Sequence, residues 1–430
     1  MVTGSPGGLP CPSTKERTTM TDTTDARSHV QRRTLRVLVA SQVLSGAGLA
    51  AGVTVGALLA QDMLGSTTLA GLPSALFTAG SALTAVAVGR ISHARGRRPG
   101  LAAGYLAGAL GSAGVITAAA LDNAVLLFAA LFVYGAGTAT NLQARYAGAD
   151  LAAPTHRARA VSTVLVATTI GGVAGPNLAA PAGTLAHWAG LPHLAGLFVL
   201  SGTAYALAAL VLTLWLRPDP LLLARTLHER EPAPATATDP TLPTPEPRHA
   251  PGPLLGGLVM VLTQLVMVAI MTMTPVHMHD HGHGTAASGL VIGIHIGAMY
   301  LPSPLTGLLV DRHGRLPLAA ASGVTLLAAG IIAATAPGDS IALLALALAL
   351  LGLGWNFGLV SGTAIVTDAV PLATRAKTQG AIDVSIAIAG ATGGLASGVV
   401  VGAAGYPVLA LAGGVLSLAL LPAIAVTRRR

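Results

Sequence analysis

Six of the nine methionines and five of the thirteen histidines of this chain fall between Met260 and Met299. Within that stretch Met267 and Met271 stand four residues apart, and so do His295 and Met299. Residues at this spacing share one face of a helix, so each pair stacks two donors one turn apart. Thioether sulfur is a soft ligand suited to Cu(I), and imidazole binds copper, zinc, nickel or iron. A mixed set of Met267, Met271, His295 and Met299 therefore points to copper, chiefly Cu(I). Between the pairs lie His277, Met278, His279, His281 and His283. This group reads as a mouth that collects metal and loses capacity as its imidazoles protonate. Two plainer readings stand beside these: a Met stripe at helical spacing is also what a packed core looks like, and the histidine group also reads as solvated surface. His295 weighs against packing alone, because a titratable group deep in an apolar segment is costly and marks a functional site, as ligand or as proton carrier.

The segments that carry these residues are nearly devoid of charge. Of 430 residues, 53% are hydrophobic and 9% charged, against roughly 25% charged in a soluble domain. Apolar stretches run at 37–60, 69–88, 100–120, 123–144, 160–183 and 193–216, then, after a polar stretch rich in Pro, Thr and Ala, at 254–276, 286–310, 316–336, 340–366, 379–401 and 406–426. Each is long enough to cross a bilayer. The pattern predicts an all-α membrane protein with twelve transmembrane helices in two six-helix bundles. Residues 1–36 read as a disordered tail, 37–216 as the first bundle, 217–253 as a linker, 254–426 as the second bundle and 427–430 as a basic tail. Met20 opens a plausible second start. The single cysteine, Cys11, lies in the polar tail, which excludes disulfides, thiolate zinc sites and cysteine nucleophiles from the membrane part.

Charge placement gives orientation. The 24 Lys and Arg residues fall in the N-terminal tail, the connections after even-numbered segments, the linker or the C-terminal Arg428, Arg429 and Arg430. The other connections hold Asp62, Asp122, Asp339 and the histidine group. By the positive-inside rule both termini are cytoplasmic. The formal charge of +8 marks topology and not nucleic acid, because aromatic residues are few and the basic ones form no single patch. Two charged motifs also repeat at one offset of 218 residues: Gly89 through Arg98 against Gly307 through Arg315, and Asp150 with Arg157 and Arg159 against Asp368 with Arg375 and Lys377. A constant offset indicates duplicated halves, the parallel repeat of alternating-access carriers.

At these loops the chain resembles the major facilitator superfamily, whose signature between helices 2 and 3 is Gly-x-x-x-Asp-Arg-x-Gly-Arg-Arg. Gly307, Asp311, Arg312, Gly314 and Arg315 match it in the second copy. In the first, Gly89, Gly96 and Arg97 match, while His93 and Ala94 replace the Asp-Arg pair. The resemblance implies that Gly89, Gly96, Arg97, Asp311, Arg312, Gly314 and Arg315 form a latch holding the halves together on the cytoplasmic side, to break when the carrier turns inward. A topology anchor is the plainer reading of the first copy. The stretch Gly171-Gly-Val-Ala-Gly175-Pro176-Asn177 partly resembles the antiporter signature of the same superfamily, and otherwise reads as a packing bend. More narrowly, Met-x-x-x-Met followed by His-x-x-x-Met is similar to the CcoA-like copper importers of that superfamily. This resemblance implies that Met267, Met271, His295 and Met299 are the transport ligands. Related members without these pairs carry riboflavin, so the ligands and not the fold decide the cargo.

The leading expectation is thus a secondary carrier in the cell membrane, acting as a monomer, that imports copper as its transported ion and holds no cofactor. Asp383 is a candidate proton-coupling site, with a structural pairing to Arg375 or Lys377 as the alternative. The second expectation is a proton-coupled exporter or carrier of a small organic solute, drug-like or riboflavin-like. A metal-sensing receptor would need a signalling domain, and the linker shows none. An enzyme is excluded by the lack of a nucleotide-binding loop, a Gly-x-Ser-x-Gly elbow or a carboxylate pair within one segment.

Overall fold

The computed structural model describes residues 14–54, 59, 63, 72–188, 190–230 and 252–429, which are helical throughout with no strand among them. The helices of the first half are α1 (Thr14–Thr54), α2 (Leu72–Arg95), α3 (Arg97–Ala120), α4 (Ala124–Ala149), α5 (Arg157–Asn177), α6 (Ala179–Trp188) and α7 (Gly196–Trp215). A short helix α8 (Pro220–Arg230) follows. The second half holds α9 (Pro253–Asp280), α10 (Thr285–Tyr300), α11 (Ser303–His313), α12 (Arg315–Thr335), α13 (Ile341–Ala369), α14 (Arg375–Ala404), α15 (Tyr406–Ser417) and α16 (Leu420–Arg429). Among the described residues, nine helical stretches are long and apolar enough to span a membrane.

Local chemistry sets the ends. Asn123 caps α4 by accepting from Leu126 N at 3.0 Å, which satisfies one of the free donors of its first turn. Gly96 and Gly314 both take φ near +97°, a conformation open to glycine, and each turns one helix sharply into the next. Pro302 interrupts the expected span at 286–310 and divides it into α10 and α11, because proline cannot supply the next helical donor.

The first half packs around Leu38, Leu101, Leu131, Tyr134, Phe198 and Leu212, with Tyr105 stacked on Tyr205 at 5.9 Å. A buried polar chain runs through it: Tyr105 Oη donates to Gln42 Oε1 at 2.5 Å, Gln42 Nε2 to Thr168 Oγ1 at 3.0 Å, and Asn141 Nδ2 to Ser45 Oγ at 2.7 Å. The second half packs around Met260, Leu326, Leu348, Leu351 and Trp355. Large apolar side chains such as Leu110, Leu395 and Val399 are exposed on the outside, which suits a surface solvated by lipid.

Three further sequence expectations change. The first helix begins at Thr14 and not at 37. Its early part is tied down because Arg27 Nε donates to Leu151 O at 3.1 Å and Gln31 Nε2 to Gly148 O at 2.7 Å; residues 1–13, with Cys11, lie outside the described residues. The linker opens as the helix α8, capped by Asp219, whose Oδ1 accepts from Leu221 N and Leu222 N at 3.0 and 3.2 Å. Finally, Arg145 is no loop residue: it lies inside α4 and is fully buried.

Candidate functional site

On α9, Met260, Met267 and Met278 are buried and Met271 is half-buried. The helix runs unbroken to Asp280, so Met278 falls on the same face as Met267, Met271 and the buried Thr274. That corrects its place in the mouth: Met278 is a core residue with no exposed surface. On α10, His295 is fully buried with its ring against α13, and Met299 is buried with its backbone N and O beside α13. Met267 and Met299 belong to one apolar cluster, with Met271 packed against it.

His295 Nδ1 lies 2.8 Å from Leu348 O. A carbonyl only accepts, so Nδ1 carries the proton and Nε2 of the neutral ring keeps its lone pair. That Nε2 is buried without a hydrogen-bond partner. An orienting bond on one ring nitrogen and a free lone pair on the other is how a metal-binding histidine is held. Among the described residues no three His, Cys, Asp or Glu side chains converge as a metal site, and Met299 follows His295 by one turn of α10.

Of the histidines expected to form a mouth, His277 and His279 lie in the last turn of α9 and His281 and His283 follow it. The rings of His277 and His281 lie 4.3 Å apart, and His277 stacks on Tyr406 at 4.3 Å. His283 Nε2 contacts Gly338 O at 2.9 Å, and His279 is exposed.

At the other, basic end the halves are joined by two charge clusters that are copies of one another. In the first, Arg97 Nε donates to Asp150 Oδ2 at 2.8 Å, and Arg375 Nη1, from the second half, lies 3.8 Å from Asp150 Oδ1. Arg97 Nη2 also crosses to Gln379 Oε1 at 2.5 Å. In the second, Arg315 Nε donates to Asp368 Oδ2 at 2.9 Å while Arg157, from the first half, pairs with Oδ1. Asp311 Oδ1 and Oδ2 accept from Ala158 N and Arg159 N at 3.1 and 3.0 Å, at the first turn of α5. His93 stands at the corresponding place of the first copy, and Arg312 is exposed. Between these clusters the backbones nearly touch: a Cβ on Gly380 would stand 3.0 Å from Gly89 Cα and 2.8 Å from Ala85 O, and one on Gly307 would stand 2.5 Å from Ser162 Oγ. At the opposite end a Cβ on Gly289, Gly293, Gly398 or Gly402 would meet nothing within 4 Å.

Asp383 pairs with neither Arg375 nor Lys377. Its Oδ1 accepts from Arg145 Nη2 at 2.8 Å and from Tyr146 Oη at 3.0 Å, across the two halves. Arg145 Nε further donates to Thr363 Oγ1 at 3.0 Å, and its guanidinium lies 4.2 Å over the Tyr146 ring. In the sequence Arg145 follows the fourth apolar segment at 123–144 and reads as a residue of a basic connection, and nothing there marks Tyr146. Sequence reasoning also missed Arg225 on α8. Its guanidinium donates to His93 O of the first half at 3.0 Å and to Leu372 O and Ala373 O of the second at 3.2 Å each.

The family profile of the Major Facilitator Superfamily matches residues 37–358, and again 256–430. An uncharacterized MFS-type transporter of Bacillus subtilis (strain 168), YdeG, is 57% identical over 406 residues, 94% of each chain. The riboflavin transporter RfnT of Brucella anthropi is 31% identical over 370 residues, 85% of this chain and 86% of its own. Among solved structures, the human organic anion transporter MFSD10 (TETRAN) superposes with a TM-score of 0.71 at 16% identity, covering 92% of this chain and 99% of that one. A fold of apolar helices joined by mirrored Arg and Asp clusters, matched over nearly its full length by these proteins, is a membrane transporter and not an enzyme: the chain belongs to the Major Facilitator Superfamily.

Proposed function

We propose that this protein is a secondary carrier of the CcoA-like kind that imports copper by alternating access, with Met267, Met271, His295 and Met299 as transient ligands. The observation that carries this reading is the His295 ring, oriented through Nδ1 with a buried, unpartnered Nε2, on the same helix face as Met299 and next to the core that holds Met267. A monovalent Cu(I) bound by imidazole and thioethers leaves no uncompensated carboxylate in the bilayer, and soft ligands select it over harder ions. His277, His279, His281 and His283 form the outer mouth. Twelve membrane-spanning segments in two bundles, both termini cytoplasmic, and action as a monomer in the cell membrane complete the reading. The basic side is then cytoplasmic and latched, through Gly89, Gly96, Arg97, Asp311, Arg312, Gly314 and Arg315 with their partners Asp150 and Asp368, and the carrier stands outward-facing. No cofactor is involved.

A second reading, a carrier of a small organic solute such as riboflavin, is favoured by the likeness to RfnT. Uptake of labelled copper and of labelled riboflavin by cells expressing the wild type, His295→Ala and Met271→Ala separates the two. Copper uptake lost in both variants supports the first. Riboflavin uptake that survives both variants, with copper uptake absent in the wild type, replaces it with the second.

A further inference from the structure

Three successive turns of α13 hold α10 along one line. Leu348, Gly352 and Asn356 stand four residues apart, so they share a face of α13. Leu348 O accepts from His295 Nδ1 at 2.8 Å. A Cβ on Gly352 would stand 2.6 Å from His295 O and 3.1 Å from Met299 N, so the two backbones touch there. One turn on, Asn356 Nδ2 donates to Met299 O and to Ser303 Oγ, both at 2.7 Å.

The last two acceptors lie on opposite sides of a break. α10 and α11 share one stretch, Ala287–His313, that is long and apolar enough to span a membrane. It is interrupted at Leu301 and Pro302, and Pro302 has no N–H to offer Ala298 O. Asn356 thus gives one amide proton to the last turn of α10 and the other to the first residue of α11. The residue is fully buried, and its Oδ1 has no hydrogen-bond partner. An unpaired buried acceptor is costly, and leucine, with the same branched skeleton, would avoid that cost. What leucine cannot supply is a donor to each side of the break.

The duplication supplies a comparison. At the offset of 218 residues Pro302 matches Thr84, Asn356 matches Thr138 and Ser303 matches Ala85, and there α2 runs unbroken from Leu72 to Arg95. His295 and Met299 match Phe77 and Ser81, neither of them a soft ligand. The break, the amide across it and the candidate ligands therefore occur together in the second half. Their geometry is linked. His295 and Met299 share a face only while α10 stays wound to its end, and Met299 is its last residue but one. Beyond the break, α11 is docked on the first half through Gly307 and Asp311. Without a tie, a shift of α11 would be absorbed at Pro302 and would unwind the turn that carries Met299.

We propose that Asn356 is a positioning residue for the copper ligands: by tying Met299 O to Ser303 across the break, it keeps the Met299 thioether on the face of His295. It acts through Met299 and is no ligand itself. This rests on the copper reading of His295 and Met299.

The test uses the full chain in lipid nanodiscs with Cu(I) alone as the probe. Competition with a Cu(I) chelator gives affinity, and copper K-edge X-ray absorption gives the sulfur and nitrogen neighbours of the bound ion. Asn356→Leu removes both donors. It should weaken Cu(I) binding by about 10- to 100-fold, the usual effect of losing a group that orients a ligand, and leave fewer sulfur neighbours than in the wild type. Asn356→Gln keeps an amide and should recover part of both. An Asn356→Leu protein that melts earlier but keeps wild-type affinity and sulfur neighbours has lost a structural contact only, and overturns the proposal. Should that variant fail to fold, Ser303→Ala decides, since it cuts the tie on the α11 side: weaker binding supports the proposal and unchanged binding overturns it. His295→Ala separates the two failures. If the wild type binds Cu(I), His295→Ala does not and Asn356→Leu matches the wild type, positioning fails alone. If the wild type binds none, or His295→Ala binds as tightly, the copper reading fails and the proposal with it.

Discussion

Replacing Asp150 by asparagine tests whether the mirrored charge clusters hold the basic side shut. Asp150 serves Arg97 of its own half and Arg375 of the other, and all three side chains are at most 5% exposed. Asparagine keeps the shape and removes the charge, leaving two cations facing one another across the closed interface. At an effective dielectric near 20, a pair of charges about 4 Å apart interacts by ~4 kcal/mol, and stripping one partner from a buried pair costs ~3–5 kcal/mol. Opening lets both cations hydrate, so the loss falls mainly on the closed state. If ~2–3 kcal/mol of it does, the ratio of closed to open molecules drops by about 30- to 150-fold. Asp368→Asn is the internal comparison. Its carboxylate is 29% exposed and its arginines 16% and 20%, so water already screens them and the loss is nearer ~0.2–1 kcal/mol per pair. The closed population should then fall by no more than several-fold. Pulsed electron paramagnetic resonance between nitroxide labels at Ala94→Cys and Thr374→Cys, which are exposed across the closed side, reads both variants in a Cys11→Ser background. Equal effects, or a larger one for Asp368→Asn, would refute the reasoning from burial.

Other expectations follow from single contacts. Gly380→Val sets a side chain against Ala85 O and Gly89 Cα; overpacking of ~1–3 kcal/mol should favour the open basic side, seen as a wider label distance at neutral pH. Arg225→Ala removes three hydrogen bonds that join α8 to both halves, and should open the same side several-fold while thermal stability changes little. Gly96→Ala and Gly314→Ala both place a side chain at φ near +97°, at ~1–3 kcal/mol, but only Gly96 would also meet Asp219, at 2.4 Å. Gly96→Ala should therefore lower Tm more than Gly314→Ala. His295→Ala should abolish copper binding measured by competition with a Cu(I) chelator and leave the label distances unchanged, whereas a purely structural His295 would disturb both or neither.

Much of the frame is legible in the sequence because the bilayer imposes strong rules on composition. Apolar length places several of the described helices closely, as with α3 at 97–120 against the expected 100–120 and α12 at 315–335 against 316–336, except where a local contact decides otherwise. Thr14 through Leu35 look polar and aperiodic, yet the structure continues α1 through them because Arg27 and Gln31 reach backbone carbonyls at the end of α4. Nothing local in the sequence announces contacts 124 and 117 residues away. α8 was hidden for a related reason, since its cap Asp219 also accepts from Arg98 N of α3 at 2.7 Å and its clasp Arg225 acts on loops far along the chain. Met278 shows the reverse error. It sits amid histidines and reads as part of a loop, but the helix simply continues, and its period carries the sulfur back into the core.

The site divides along a different line, between what the duplication repeats and what it does not. A repeated pair of motifs announces itself by its offset, so Arg97, Asp150, Arg315 and Asp368 could be found without coordinates, and their mirrored geometry follows from a shared ancestry of the halves. Such symmetry serves equally in both halves and can therefore hold the halves together, but it gives a cycle no direction. Direction needs residues present once. Three groups meet that condition here: His295 with its free Nε2, the Met stripe of α9, and Arg145 with Asp383. The first two were legible because sulfur and imidazole are rare in apolar segments. Asp383 is legible as a rare carboxylate in an apolar segment, but its partner is not, because Arg145 stands beside a basic loop and passes for a topology marker until Asp383 is seen across the interface. A charge at the edge of a membrane segment is ordinary. A pair of opposite charges that is buried, unduplicated and divided between the two halves is seen only once both halves are in place.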